Sequence, residues 1–310
     1  MVMKIVFLDA ATMVDSPLDP IAALGDLTSY DNSTREQAYE RVKDCEVLII
    51  NKIKVDEELL SYAPSLKLIC EAATGVNNID LEAAARRGIP VRNVVGYSTA
   101  SVAQTTWMHI LSLVGKGRYY DDSIKNGDYS SSVFFTDIKV SYWELAGKTI
   151  GIIGMGNIGS KVARMACEFG MNVCYYSTSG TGHCKEYPSL GIDELLSVSD
   201  VVSINAPYNE RTAGLIDYEG LRKMKKTAII VNMGRGGIIV EDDLARAVDE
   251  GLIAGAALDV YVKEPLTADS PLLHTRHPER LSFTPHVGWS SREARSRLIE
   301  GIAQNIAEGW

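Results

Sequence analysis

The 310-residue chain has only five cysteines, at 45, 70, 167, 174 and 184, and none falls in a Cys-x-x-Cys pair. Such a set makes neither a disulfide framework nor a thiolate zinc site. The cysteines sit in apolar, strand-like or helical stretches and read as buried thiols of a reducing compartment. Basic residues are in deficit, with 31 Lys and Arg against 40 Asp and Glu and a formal charge of −9. That balance gives no electrostatic reason to expect nucleic acid or an anionic membrane as partner. Long apolar runs are missing too. Ile5-Val6-Phe7-Leu8 is too short for a secretory signal and Asp9 follows at once. No stretch approaches the ~20 apolar residues of a membrane span, and there is no tandem repeat or low-complexity tract. What remains is 46% hydrophobic and 23% charged, the balance of a globular protein, with length enough for two domains and an expected place in the cytoplasm.

Short β-branched runs alternate with segments of helical period. Strands are expected at 4–8, 47–51 and 66–70 and helices at 35–42 and 56–62, a βαβ rhythm that calls for a parallel sheet covered by helices. A turn-rich stretch at 96–100 leads into a long apolar helix at 102–115, for which Ser101 and Gln104 form a capping-box signature. A second series begins at Lys148, with strands at 149–153, 172–176, 201–205, 228–232, 254–258 and 281–283. Helices are expected at 157–168, 218–224 and 242–250, and a last one at 291–307. Two βα series imply two sheets and two domains. The segment 119–142, rich in Tyr, Phe, Ser and Asp with weak periodicity, reads equally as an arm for subunit contact and as a surface excursion.

Gly154-Met155-Gly156-Asn157-Ile158-Gly159 stands where the second series turns from strand to helix. A side chain at Gly154 would obstruct the turn, and one at Gly156 would hold a pyrophosphate off the backbone. Gly159 lets helix and strand pack closely, and the helix N-terminus, from Asn157 and Ile158, offers free N–H groups. This context points to a dinucleotide, against the plain reading of a structural glycine turn. The carboxylate that ordinarily holds the adenosine ribose is absent: the next strand ends in Ser177-Thr178-Ser179-Gly180-Thr181. NADP(H) is therefore allowed and NAD(H) is not excluded; the nearest cations in sequence are His183 and Lys185.

Three strand ends then deliver Arg235, Glu264 and His286. In an open parallel sheet the ligand crevice lies outside the carboxyl ends of the strands, so the three should converge there. Reduction of a ketone by hydride leaves charge on oxygen, which calls for a proton donor working near neutrality, the task of a histidine. A carboxylate fixes its tautomer, and an arginine fork binds a substrate carboxylate and polarises its carbonyl. Singly, each reads as a loop residue. His109, on an apolar helix, reads as a packed core histidine, His274 and His277 as exposed loop residues, and Glu241-Asp242-Asp243 as serving a helix dipole rather than a metal.

Taken together, these motifs resemble the D-isomer-specific 2-hydroxyacid dehydrogenases over nearly the whole chain. Gly154–Gly159 matches that family's cofactor loop. The segment 232–237 matches its substrate-arginine segment, 258–265 its catalytic glutamate and 284–289 its histidine. The resemblance implies an α/β fold of two Rossmann-like domains with parallel sheets. The substrate domain would be discontinuous, at 1–98 plus 289–310, and the dinucleotide domain would span 99–288. It also implies a homodimer, with the helix at 102–115 contributing. Thr74, Gly75 and Val76 fall in the loop whose backbone N–H groups hold the substrate carboxylate. Ala206, Pro207, Met233, Gly234, Asp259 and Gly288, with Ser177 and Thr178, fall where the family lines its cofactor pocket.

Residues 73–80 and 96–99, with Trp289, resemble the glycerate dehydrogenase/hydroxypyruvate reductase branch, from which Ser177 and Thr105 depart. The implied function is NAD(P)-dependent interconversion of a small 2-keto acid and its D-2-hydroxy acid, with hydroxypyruvate or glyoxylate first and D-lactate or a branched analogue as alternatives. No metal is called for. A reading of another class is a dinucleotide-responsive interaction protein, like the corepressors that share this fold.

Overall fold

The computed structural model describes residues 2–182 and 184–310, so His183 lies outside the described residues. The chain divides into two compact units, one formed by Met1–Ser98 with Trp289–Trp310 and the other by Thr99–Gly288. The first contains β1 (Lys4–Phe7), α1 (Asp19–Ala22), β2 (Asp26–Ser29), α2 (Arg35–Arg41), β3 (Val47–Ile50), α3 (Glu57–Ser61), β4 (Leu68–Glu71), α4 (Leu81–Arg86) and β5 (Val91–Arg92). The second runs through α5 (Thr99–Gly115), α6 (Gly117–Lys125), β6 (Thr149–Ile153), α7 (Asn157–Glu168), β7 (Asn172–Tyr176), α8 (Ile192–Val198) and β8 (Val201–Ile204). It continues with α9 (Tyr218–Lys223), β9 (Ile229–Asn232), α10 (Glu241–Asp249), β10 (Gly255–Leu258) and β11 (Leu281–Phe283). Helix α11 (Arg292–Ala307) returns to the first unit.

Both sheets are parallel. The first has the order β2-β1-β3-β4-β5. Its central strands are apolar on both faces, as burial on two sides demands. Val6, Leu8, Leu48, Ile50 and Ile69 face a core built with α2, α3 and α4. Ile5, Phe7, Val47, Ile49 and Leu68 face Leu298, Ile302 and Ile306 of α11. The chain order reverses between β1 and β3, the point at which such sheets open a crevice. Here Asp9 fills it: the 3%-exposed carboxylate accepts hydrogen bonds from the backbone N–H groups of Asn51 (2.9 Å), Lys52 (2.6 Å) and Ile53 (3.1 Å).

The second sheet has the order β11-β10-β9-β8-β6-β7, with its reversal between β6 and β8. Beside it, Trp107 of α5 stacks on Phe169 at 4.6 Å. Two expectations need correcting here, the cap at Ser101 and the burial of all five thiols. Helix α5 begins at Thr99, so Ser101 is no cap; buried inside the helix, it donates to Gly288 O at 2.5 Å. The weak periodicity of 119–142 hides α6, after which Val133, Phe134, Phe135 and Ile138 stand 73–92% exposed. Of the five free thiols, Cys45, Cys70 and Cys174 are buried, but Cys167 is exposed and Cys184 half-buried. Among the described residues no helix is long and apolar enough to cross a membrane.

Glu71, at the end of β4, is wholly buried, and its Oε2 accepts from Asn78 Nδ2 at 3.0 Å, which ties together the two ends of the loop 72–78. Burial pushes its carboxyl up to about 9 from an ordinary 4.5. The folded protein therefore holds a proton that the unfolded chain releases. Stability from this group is complete below about 4.5 and falls as pH rises toward 9. We expect Glu71→Gln to remove a slope of up to about 1.4 kcal/mol per pH unit between pH 6 and 8.5. Urea unfolding of both proteins across that range checks this; parallel pH profiles would refute it.

Candidate active site

The glycine turn sits at the strand-order reversal of the second sheet. Gly154 adopts φ +91°, and a Cβ there would stand 2.9 Å from Ala206 N and Cα, so the turn needs glycine on both conformational and steric grounds. A Cβ at Gly159 would meet Gly154 O at 2.2 Å. Gly156 differs. Its φ of −80° suits any residue and its missing Cβ would face no atom within 4 Å. Nothing inside the protein requires glycine at 156, which fits a group arriving from outside. Gly156 is also the N-cap of α7, with no side-chain cap, whereas Thr34, Asp56, Asp80, Asp217 and Ser291 cap α2, α3, α4, α9 and α11. The N–H groups of Asn157, Ile158 and Gly159 open that helix and suit a pyrophosphate.

The remaining residues assigned to the cofactor follow other strands of the same sheet. Ala206 and Pro207 follow β8, and a Cβ at Gly234 would lie 2.7 Å from Ala206 O. The Met233 side chain comes within 2.8 Å of where a Cβ on Gly288 would be. Gly154 N–H donates to Tyr176 O at 3.1 Å, which sets Ser177 and Thr178 at the rim.

Strands β9, β10 and β11 are neighbours, so the segments leaving them start side by side. Asn232, fully buried at the end of β9, closes its turn by donating to Arg235 O (2.9 Å) and accepting from Gly234 N–H (3.0 Å). Arg235 is half-buried, and its Nη1 donates to Gly234 O at 2.9 Å. Gly236 lies so close to the segment after β10 that a Cβ would stand 1.9 Å from Tyr261 C. The arginine segment and the glutamate segment therefore touch backbone to backbone. Glu264 Oε1 accepts from Tyr261 N–H at 3.0 Å, and Oε2 pairs with His286 Nδ1 at 2.6 Å. Both side chains keep partial exposure, 35% for Glu264 and 24% for His286.

His286 itself has φ +54°, the left-handed region that costs a non-glycine residue about 1–3 kcal/mol unless its surroundings over-determine it. They do. Asp259, 3% exposed, accepts from Thr284 Oγ1 (2.6 Å), Val287 N–H (2.8 Å) and Gly288 N–H (2.8 Å), one bond before the histidine and two after it. Helix α5 adds the Ser101 bond to Gly288 O and the fully buried His109, whose Nε2 lies 3.0 Å from Thr284 Oγ1 and Nδ1 2.9 Å from Ser282 Oγ. Thr284 gives its hydroxyl hydrogen to Asp259, so His109 Nε2 carries the proton that Thr284 accepts. Burial lowers the pKa of His109 and keeps the ring neutral. Sequence reasoning saw His109 as core, which it is, but not this network. Nor did it see Asn232, whose signal is its place at the foot of the glycine-rich segment.

In the first unit, Thr74 Oγ1 donates to Val94 O at 3.0 Å and Asn93 Nδ2 to Thr74 O at 2.5 Å; Gly75 and Val76 follow in the same loop. His274 is exposed and bonds Ala268 O, and His277 pairs with Glu279. The acidic residues 241–243 open α10, where Glu241 also accepts from Val262 N–H at 2.7 Å. Among the described residues no three His, Cys, Asp and Glu side chains are grouped to share a metal. A concavity of about 500 Å³ lined by Leu113, Lys116, Tyr119, Glu279 and Phe283 includes none of Arg235, Glu264 and His286.

Residues 107–288 match the family described as "D-isomer specific 2-hydroxyacid dehydrogenase, NAD binding domain". The chain belongs to that family. It is 38% identical to a putative 2-hydroxyacid dehydrogenase of Haemophilus influenzae, over 99% of this chain and 98% of that one. It is 33% identical to a hydroxypyruvate reductase of Blautia hydrogenotrophica, over 99% and 96%. Among solved structures it is similar to a D-lactate dehydrogenase from Aquifex aeolicus complexed with NAD and lactic acid, at a TM-score of 0.84 and 29% identity, covering 98% of this chain and 94% of that one. The protein is thus an oxidoreductase that uses a nicotinamide dinucleotide to interconvert 2-keto and 2-hydroxy acids.

Two substitutions separate packing from binding at the turn. Gly159→Ala should destabilise the fold by roughly 1–3 kcal/mol through overpacking. Gly156→Ala should stay within about 1 kcal/mol of wild type yet weaken NAD(P)H by on the order of tenfold. Denaturation and nicotinamide-fluorescence titration read the two effects, and unchanged affinity in Gly156→Ala would remove the cofactor from this turn.

Proposed function

We propose that this dehydrogenase reduces hydroxypyruvate or glyoxylate, with His286 as acid/base, Glu264 as its orienting carboxylate and Arg235 as substrate anchor. One observation carries this reading: the 2.6 Å His286–Glu264 pair is held beyond the ends of β10 and β11, in the same parallel sheet whose β6 leads into the glycine turn. A nicotinamide bound there supplies the hydride. The carboxylate of Glu264 accepts a hydrogen bond from Nδ1–H of His286, which leaves Nε2 to give a proton to the developing alkoxide and to take it back on oxidation. Arg235 sets paired N–H donors against the substrate's carboxylate and carbonyl oxygens, which draws charge toward the oxygen that will be protonated. Asp259 acts first on the protein, as the residue that positions the histidine segment. Thr74, Gly75 and Val76 are assigned to the substrate carboxylate by family likeness. The glycerate/hydroxypyruvate branch is favoured by the motifs at 73–80 and 96–99 and by the Blautia relative.

The Met1–Ser98 and Trp289–Trp310 unit takes the substrate role and Thr99–Gly288 the dinucleotide role in this reading. The active form is a homodimer, supported by the exposed Val133, Phe134, Phe135 and Ile138, a cluster of apolar surface that a second copy would cover. Five unpaired thiols support a cytoplasmic setting.

His286→Ala should lower the rate of keto-acid reduction by about 10²–10⁴ while NAD(P)H binding persists. A near-normal rate would strip His286 of its role, and no turnover with hydroxypyruvate, glyoxylate, pyruvate or branched 2-keto acids would overturn the substrate class. Sedimentation should give twice the mass of one chain, reduced to one in Phe134→Asp/Phe135→Asp; a wild-type monomer contradicts the dimer.

A further inference from the structure

The adenosine ribose of a dinucleotide bound at a glycine turn lies beyond the end of the next strand, here β7. At that position a carboxylate would bond the ribose hydroxyls and repel a phosphate, and this chain has Ser177 instead. The structure adds what the sequence could not show. The segment 177–181 folds back on itself: Gly180 N–H donates to Ser177 O at 3.3 Å, and Ser177 Oγ donates to Thr181 O at 2.6 Å. Ser179 Oγ stands 3.1 Å from Ser177 Oγ and 3.3 Å from Thr181 Oγ1, so three hydroxyls are gathered in one small patch.

A cation reaches this patch from a distant part of the chain. Arg211 follows β8, which lies on the far side of β6 from β7, yet its Nη1 donates to Ser179 O at 2.8 Å. Its guanidinium is therefore anchored on the segment that follows β7, with Nη1 3.5 Å from where a Cβ on Gly180 would be. Arg211 is exposed and makes no ion pair with any described carboxylate, and a guanidinium has five N–H donors in a fork suited to phosphate. Lys185, the other described cation that the sequence offers, forms no hydrogen bond to the segment.

We propose that Arg211, with the hydroxyls of Ser177, Ser179 and Thr181, forms a subsite for a phosphomonoester on the ribose 2′ oxygen, so that this dehydrogenase prefers NADP(H) to NAD(H). The inference rests on dinucleotide binding at the Gly154–Gly159 turn and goes beyond it by choosing the cofactor. Charge decides the choice. A dianionic phosphate meets a guanidinium, and hydroxyls that would turn from Thr181 O to donate to it, where it would ordinarily meet a carboxylate, whereas a plain ribose gains only neutral hydrogen bonds from the same groups.

The test compares 2′,5′-ADP with 5′-AMP as probes of the full chain by titration calorimetry, with NADPH and NADH in parallel. The 2′-phosphate should tighten binding by about tenfold or more, the weight of a charged hydrogen-bonded contact. Arg211→Ala should bring that ratio close to one by weakening 2′,5′-ADP alone, and Arg211→Lys should keep part of it. Ser177→Asp should invert it through repulsion. Equal affinities in the wild type, or a loss in Arg211→Ala shared equally by both probes, would overturn the inference and leave Arg211 as a tether of the loop. If neither probe and neither dinucleotide binds, the cofactor reading falls with it.

Discussion

Asp259 holds the histidine segment by three hydrogen bonds, and the chemistry proposed for His286 depends on where those bonds put it. A carboxylate in a nearly dry site is costly unless its lone pairs are filled. Thr284, Val287 and Gly288 fill them, on both sides of a histidine whose backbone is left-handed. The strain at His286 is thus balanced by a charge that has nowhere else to go. Helix α5 braces the same segment from a second direction, through Ser101 and His109. The result is a histidine on a loop that is held as though it sat on a regular element, which the acid/base role proposed for it requires.

The site is assembled by close backbone approach as much as by hydrogen bonds. Gly236 lets the segment after β9 lie against Tyr261, and Gly234 lets it lie against Ala206. Gly154 lets the glycine turn meet Ala206 as well. Each of these glycines is a contact where a methyl group would force segments apart. The segments of Arg235 and Glu264 and the glycine turn are thereby linked in one chain of contacts. A rigid scaffold of parallel strands carrying its chemistry on the loops at one end is the general solution for such sheets.

Much of this could be read from the residues. Apolar runs such as Val47–Ile50 and Ile229–Asn232 announce buried parallel strands, and the glycine spacing announces its turn, because both signals are local. Arg235, Glu264 and His286 could be named because each follows such a strand. What escaped was non-local or ambiguous. Ser101 and Gln104 have the spacing of a cap, but the helix starts earlier because the serine hydroxyl has a stronger partner in Gly288, far along the chain. Strands β2 and β5 have only four and two residues and little pattern to betray them. The approach of Arg211 to Ser179 spans 32 positions and depends on the order of strands in the sheet, which no periodicity encodes.

The two sheets share a strand order around their reversal points, and Asp9 makes the difference between them. In the second unit the N–H groups that open α7 at that point have no side-chain cap. In the first, Asn51, Lys52 and Ile53 point theirs at a side chain of the chain itself. Asp9 is a built-in counterfeit phosphate. It occupies the reversal point of the first sheet, so that of two like strand orders only the second keeps a glycine turn there.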